Sequence, residues 1–165
     1  MATPTSLPAA FTDNTALPAA SLNNLRGAFR ILQVVESVND TTLRSTTSAT
    51  FSDTALTLTI TPQSSTNKIL CVYLVNGYSG STITGVGIRL LRGASTAVVV
   101  DKDNGYGSTS ENAFNATFFY IDSPATTSAT TYKIQFNRNQ GAGIAYVNAA
   151  GAGTNSRFFA MEISL

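Results

Sequence analysis

Two neighbouring segments, one strictly alternating and one apolar on both faces, constrain the fold more than anything else in the chain. Residues 55–61 read Ala-Leu-Thr-Leu-Thr-Ile-Thr. Leu56, Leu58 and Ile60 therefore share one side and the threonines the other, the period of a half-buried strand. Pro62 ends the segment, and Ser64-Ser65-Thr66-Asn67 supplies a turn. Residues 68–76 are then apolar at nearly every position, which predicts a central strand covered on each side.

The same grammar continues in both directions. Residues 29–38 are apolar and β-branched and stop at Asn39-Asp40. Strands are expected over 86–92, 96–100, 116–121 and 131–136, with a weaker one over 142–147 beside the Gly-rich run 149–153. Residues 158–165 close the chain, with Phe159, Met161, Ile163 and Leu165 on one face. No window after residue 28 carries a helical period. About eight or nine short strands separated by turn signals predict an all-β antiparallel sandwich or jelly roll spanning 29–165.

Residues 1–28 read differently. Pro4, Pro8 and Pro18 interrupt an Ala/Thr/Ser-rich stretch, and proline cannot donate to a ladder, so the segment is expected to run extended. Leu22 and Leu25 fall on one face of a short helical turn before Gly27. A segment this poor in apolar residues does not fold alone, and reads either as a disordered tail or as a segment ordered by a partner. It is read as an anchoring arm, with Phe11, Leu17, Leu22 and Leu25 as its grips.

Composition removes most chemistries. Only 12% of residues are charged and the net charge is +1, against about 25% charged in an average domain. That leaves no basic footprint for nucleic acid or an anionic membrane. Histidine is absent and Cys71 is the only cysteine, so a Ser-His-Asp triad, a disulfide within one chain and a Cys/His zinc site are all excluded. Cys71 lies in an apolar run and is expected to be buried and inert. Met1 to Thr5 lacks the basic and apolar regions of a signal peptide, which places synthesis in a cytoplasm. Of the nine acids, Glu36 and Glu162 are the two within strands, and a working carboxylate pair is not expected. Asp101-Lys102-Asp103-Asn104-Gly105 partly follows a calcium loop, but its twelfth position is Asn112 rather than Glu, so a hairpin turn is the plainer reading. No cofactor is expected. Residues 76–81 and 103–108 join Tyr78 and Tyr106 to Gly, Ser and Asn, a composition found in binding loops. Both are read as loops, either ligand contacts or connections with a tyrosine packed on the sandwich rim. Phe158 is read either as an inner-sheet residue or as part of a subunit interface.

Several of these segments resemble a group of tailed-bacteriophage virion proteins. They are Ile31-Leu32-Gln33-Val34-Val35, the turn Ser64 to Leu70, Leu90-Leu91-Arg92-Gly93, and above all Phe119-Tyr120-Ile121-Asp122-Ser123-Pro124 through Tyr132. The resemblance covers about 30–165. It implies a jelly roll of the TNF/C1q type, commonly a homotrimer, in a small virion protein or the end domain of a fibre. Residues 17–26 resemble an attachment segment preceding such domains, while no coiled-coil or collagen-like shaft precedes this one. The resemblance thus implies a capsid decoration, or cement, protein held by its arm to the major capsid protein or another virion protein. The alternative it leaves is a receptor-binding knob of a tail or head fibre that reads host surface glycans.

Overall fold

The computed structural model describes residues 31–80, 84–107, 111–148 and 155–164, with 100–107 given by backbone alone. Among them are ten strands and no helix: β1 (Ile31–Glu36), β2 (Arg44–Thr46), β3 (Ser52–Ile60), β4 (Lys68–Gly80), β5 (Thr84–Arg92), β6 (Thr96–Gly107), β7 (Asn112–Asp122), β8 (Thr130–Gln140), β9 (Ile144–Val147) and β10 (Arg157–Ile163). They form two antiparallel sheets packed as a jelly-roll-like sandwich. One is four-stranded, in the order β3-β8-β5-β6. The other has six strands built around β4.

β4 is long enough to serve three partners. β7 pairs with it over almost its whole length. Along the opposite edge β10 pairs with Lys68 to Leu74 and β9 with Gly77 to Gly80. β1 then adds outside β10, and β2 outside β9. The point where β10 gives way to β9 is held by a buried polar knot. Asn148, at φ 58°, donates its backbone N–H to the Asn76 carbonyl at 2.8 Å and accepts from the Ser156 hydroxyl at 2.5 Å. Ser156 in turn accepts from the Asn76 N–H at 3.1 Å. A second lock is Asp40, which accepts from the backbone of Thr42 and Ala55 and pairs with Arg44 at 3.2 Å.

The core lies between the sheets, as the alternation of β3 requires. Leu56, Leu58 and Ile60 point in against Ile69, Cys71, Tyr73 and Val75 of β4, with Ile88, Leu90, Ile134 and Phe136 from the facing sheet. Cys71 is buried and free, and burial pushes its thiol up to about 12, with the Asp122 carboxylate adding to the effect.

Two expectations are corrected. Residues 76–80 continue β4 rather than forming a loop, and the backbone of 101–105 runs inside β6 rather than curling as a turn or calcium loop. Asn and Gly there are strand residues: Val86 pairs with Asn104 and Thr84 with Gly107, across shifts in register. The short β2, polar throughout, was not anticipated.

Candidate assembly surface

Alternation along β10 places Phe158, Ala160 and Glu162 inward and leaves Phe159, Met161 and Ile163 half-exposed on the outside. The more apolar side of the strand therefore faces away from the core. The neighbouring strands repeat this, and the register aligns their outward residues in rows. Val34 of β1 lies beside Met161 of β10, then Leu70 of β4, then Ile121 of β7. One row on come Glu36, Phe159, Val72 and Phe119. Ile31 and Ile163 extend the patch at one end and Leu74 at the other.

The exposure at its margins is high. Phe119 is 70% and Ile121 58% exposed on β7, and Val34 is 56% and Ile31 54% exposed on β1. Polar and charged residues bound the patch, with Lys68 beside Ile163 at one end and Arg157 and Thr117 beside Leu74 at the other. Clustered large apolar side chains of this kind make the face a candidate interaction surface. β7 sharpens the point. Its outer edge has no strand partner among the described residues, and it carries no charge before Asp122, although natural edge strands are normally blunted by charge, proline or bulges.

The outer face of the four-stranded sheet is unlike this one. Arg89 donates to Gln135 at 2.7 Å and lies 4.3 Å over the Phe51 ring. Asp53 pairs with Lys133 at 3.0 Å and accepts from Gln135. The chain folds back over this face, with the Ser48 carbonyl accepting from the Arg138 N–H and the Ala49 carbonyl from the Asn137 side chain. That side of the sandwich is polar, with Thr57 and Thr59 exposed on it.

At the far end of the apolar face Tyr78 of β4 stacks on Tyr146 of β9, with centroids 4.2 Å apart and planes 7° from parallel. Gly80 makes the stack possible, since a Cβ there would lie 2.5 Å from the Tyr146 ring. A Cβ at Gly77 would strike the Tyr146 carbonyl and the Phe114 ring. Burial and the neighbouring Tyr146 push the Tyr78 hydroxyl above its usual range. Tyr78 thus lies half-buried within a strand, stacked on Tyr146, rather than in a loop. The Tyr106 side chain lies outside the described residues, as do Phe11, Leu17, Leu22 and Leu25. Phe158 is fully buried within the single chain, edge-on to Tyr73 at 6.0 Å. Its ring therefore has no outer surface to offer; Phe159 and Met161 hold the outward positions.

The acids do not converge. Glu36 is exposed on the outer face, whereas Glu162 is fully buried on the inner one. Glu162 instead ties three segments together, accepting from the Gln33 amide at 2.6 Å, the Gln63 N–H at 2.7 Å and the Asn67 amide at 2.6 Å. Burial raises its pKa, but these hydrogen bonds and one from the Ser64 backbone outweigh it and hold the carboxyl below its ordinary 4.5. Asp122, also buried, accepts two 2.8 Å bonds from Arg92 and one of 2.5 Å from the Tyr132 hydroxyl. Sequence reasoning placed Glu162 in a sheet face without seeing this role; the signal was an acid at the same parity as Phe158 and Ala160. No group of three or more potential metal ligands occurs among the described residues. An open cavity of about 590 Å³ lies beside the β5–β6 turn, lined by Arg92, Thr96, Pro124, Thr130 and Lys133 among others. Its two cations are already engaged by Asp122 and Asp53.

No protein-family model matches the chain, and no curated protein matches it. Among solved structures the chain is similar to the VP2 subviral particle of infectious bursal disease virus, at 16% identity and a TM-score of 0.41, over 79% of this chain and 32% of that one. The Gx strain of the same virus gives 14% identity and a TM-score of 0.41, over 79% and 36%. The chain thus spans about a third of the length of these viral chains.

Proposed function

We propose that this protein is a structural component of a tailed-bacteriophage virion, a trimeric decoration protein that binds the capsid surface and stabilises the head. The observation that supports this reading most directly is the apolar outer face of the six-stranded sheet, open from β1 to β7. Such a face is costly against water and useful against protein. The opposite side of the sandwich, polar and partly exposed, suits the solvent side of a particle.

In this reading residues 1–28 form the anchoring arm, with Phe11, Leu17, Leu22 and Leu25 seated on the major capsid protein or another virion protein. Each trimer adds buried area across a capsomer junction and so opposes the pressure of packed DNA. The protein is made in the bacterial cytoplasm and works in the virion through contact alone, with no cofactor, nucleic acid or membrane. The test is binding to undecorated particles. Removing residues 1–28 should abolish decoration, and particles decorated normally by the truncated protein would refute the arm.

A second reading rests on the Tyr78–Tyr146 stack, an aromatic platform beside polar Ser45 and Asn115. A fibre knob recognising host glycans would use it. Tyr78→Ala should then abolish glycan-array binding, while leaving capsid decoration intact under the first reading.

A further inference from the structure

We infer that the cavity beside the β5–β6 turn is a binding site for a carboxylate-bearing saccharide, a hexuronic acid or a chain that contains one. The site goes beyond the decoration role and does not depend on it. It also lies away from the Tyr78–Tyr146 stack: Asp122 pairs with Ile69 at the start of β4, whereas Tyr78 is near its end.

The chemistry begins with the way Arg92 is held. Its Nη1 donates to both oxygens of Asp122 at 2.8 Å and to the Ser123 carbonyl at 3.3 Å. Asp122 is buried and is itself fixed by the Tyr132 hydroxyl. One nitrogen thus carries the whole anchorage, and Nε and Nη2 have no hydrogen-bond partner among the described residues. Those two groups form the side-on edge of the guanidinium, whose parallel N–H bonds match the two oxygens of a carboxylate. The Arg92 side chain lines the cavity and remains 31% exposed, so a ligand can reach it. Lys68 adds positive charge nearby. Its ammonium donates to the Ser123 hydroxyl at 2.5 Å and pairs with no carboxylate among the described residues. No acid is among the described residues that line the cavity.

The rest of the lining suits a hydroxyl-rich ligand rather than a peptide. Threonines 96, 126 and 130 face the cavity with small neighbours such as Ala94 and Ala129, and no large apolar side chain is there to anchor a peptide residue. The Thr96 hydroxyl has no partner among the described residues. Thr126 Oγ1 accepts from the Ser128 N–H at 3.0 Å and still has its own proton to donate. The Thr130 hydroxyl donates to the Ser128 carbonyl at 3.1 Å, so its oxygen still accepts. Sugar hydroxyls need both kinds of partner. The volume of about 590 Å³ falls within the range of small-molecule sites, about 300–1,000 Å³. The walls are held in place. The Gly93 N–H donates to the Thr131 carbonyl at 2.8 Å, tying the β5–β6 turn to β8. On the opposite wall Ala125 sits at φ 53°, a conformation unfavourable to a residue with a Cβ and found at ligand clamps.

The experiment titrates the full chain with digalacturonate, with its methyl ester and with acetate, followed by calorimetry. Digalacturonate should saturate. The ester, with the hydroxyls but no charge, and acetate, with the charge but no hydroxyls, should each bind at least about tenfold more weakly. Arg92→Lys keeps a cation for Asp122 but removes the planar edge, and should weaken digalacturonate about tenfold. Thr96→Val, at an exposed position, should weaken it several-fold with thermal unfolding unchanged; this variant decides the matter if Arg92→Lys does not fold. Tyr78→Ala should leave the affinity as it is. No saturable binding of digalacturonate would overturn the site, as would unchanged affinity in both Arg92→Lys and Thr96→Val. Acetate binding as tightly as digalacturonate would assign the cavity to an acidic side chain of a protein partner, and equal binding of the ester would remove the role of Arg92; either overturns the inference. Loss of binding in Tyr78→Ala would move the sugar to the stacked tyrosines and overturn it too. No readout involves particles, so failure here is distinguishable from failure of the decoration role.

Discussion

Replacing Glu162 by Gln tests the claim that a buried carboxylate, with no cation beside it, pins the ends of β1 and β10 to the 61–67 turn. Oε1 receives the Gln63 N–H and the Asn67 amide, while Oε2 receives the Gln33 amide. A Gln at this site can keep one acceptor oxygen. Its –NH₂ group must then oppose a donor, and Gln33 cannot simply flip, because the same nitrogen also donates to the Thr61 carbonyl at 2.7 Å. The variant loses a charge-assisted hydrogen bond and leaves a buried donor without an acceptor. Hydrogen bonds to charged groups contribute about 1.5–3 kcal/mol, so about 3 kcal/mol is expected from urea unfolding at pH 7. The pH dependence carries the sharper signature. The folded pKa is lowered from 4.5, so stability from Glu162 is fully present above that value and is lost as pH falls through the lower folded pKa. The wild type should therefore lose stability on acidification below about pH 4.5. The Gln variant should show a shallower slope, with what remains carried by Asp40 and Asp53, whose carboxyls are also held low by hydrogen bonds and neighbouring cations against the opposing effect of burial. A change under about 0.5 kcal/mol, the range of an ordinary surface substitution, or an unaltered acid slope, would refute the reasoning.

Two further substitutions probe the outer face and its Tyr end. Phe119→Ser removes a ring that is 70% exposed, so the folded stability of the isolated chain should change by no more than about 0.5 kcal/mol. The same change should weaken attachment of whatever covers the face by about 3 kcal/mol, from roughly 120 Å² of apolar area, read as binding to undecorated particles. Gly80→Ala forces a methyl against the Tyr146 ring and should lower stability by about 1–3 kcal/mol in thermal or urea unfolding. In a Tyr146→Ala background that penalty should largely vanish, because the colliding ring is gone.

The fold class was legible because β3 alternates without exception and Pro62 marks its end. Other elements were hidden for identifiable reasons. Residues 76–80 have the composition of a turn, yet Gly77 and Gly80 are small because β9 and the Tyr146 ring approach closely there. β2 has no apolar residue to announce it. Along β10 the apolar content pointed the wrong way: Phe159, Met161 and Ile163 face out, while the inner side spends one position on Glu162. Periodicity can group residues onto a face, but it cannot say which face meets the core when both are apolar. The partners of Glu162 come from 33, 63 and 67, positions far apart along the chain that only the sheet register brings together.

The double-faced character of 68–76 was the clearest early sign of the assembly surface, and its meaning changed with the sheet order. A run apolar on both sides predicts cover on both sides. Within the described residues β4 receives the facing sheet on one side only, and Leu70, Val72 and Leu74 remain half-exposed on the other. Glu36, Lys68 and Arg157 lie at the margins of that side rather than at its centre. Arg44, Arg92 and Lys133 are drawn into ion pairs, and Asp40, Asp122 and Glu162 are buried as locks. β7 is consequently left as an eleven-residue edge strand without an internal charge. In a free, permanently exposed protein that edge invites indiscriminate strand pairing. Under the proposed decoration role, the apolar face and the edge of β7 that the described residues leave open are the surfaces a virion partner would cover.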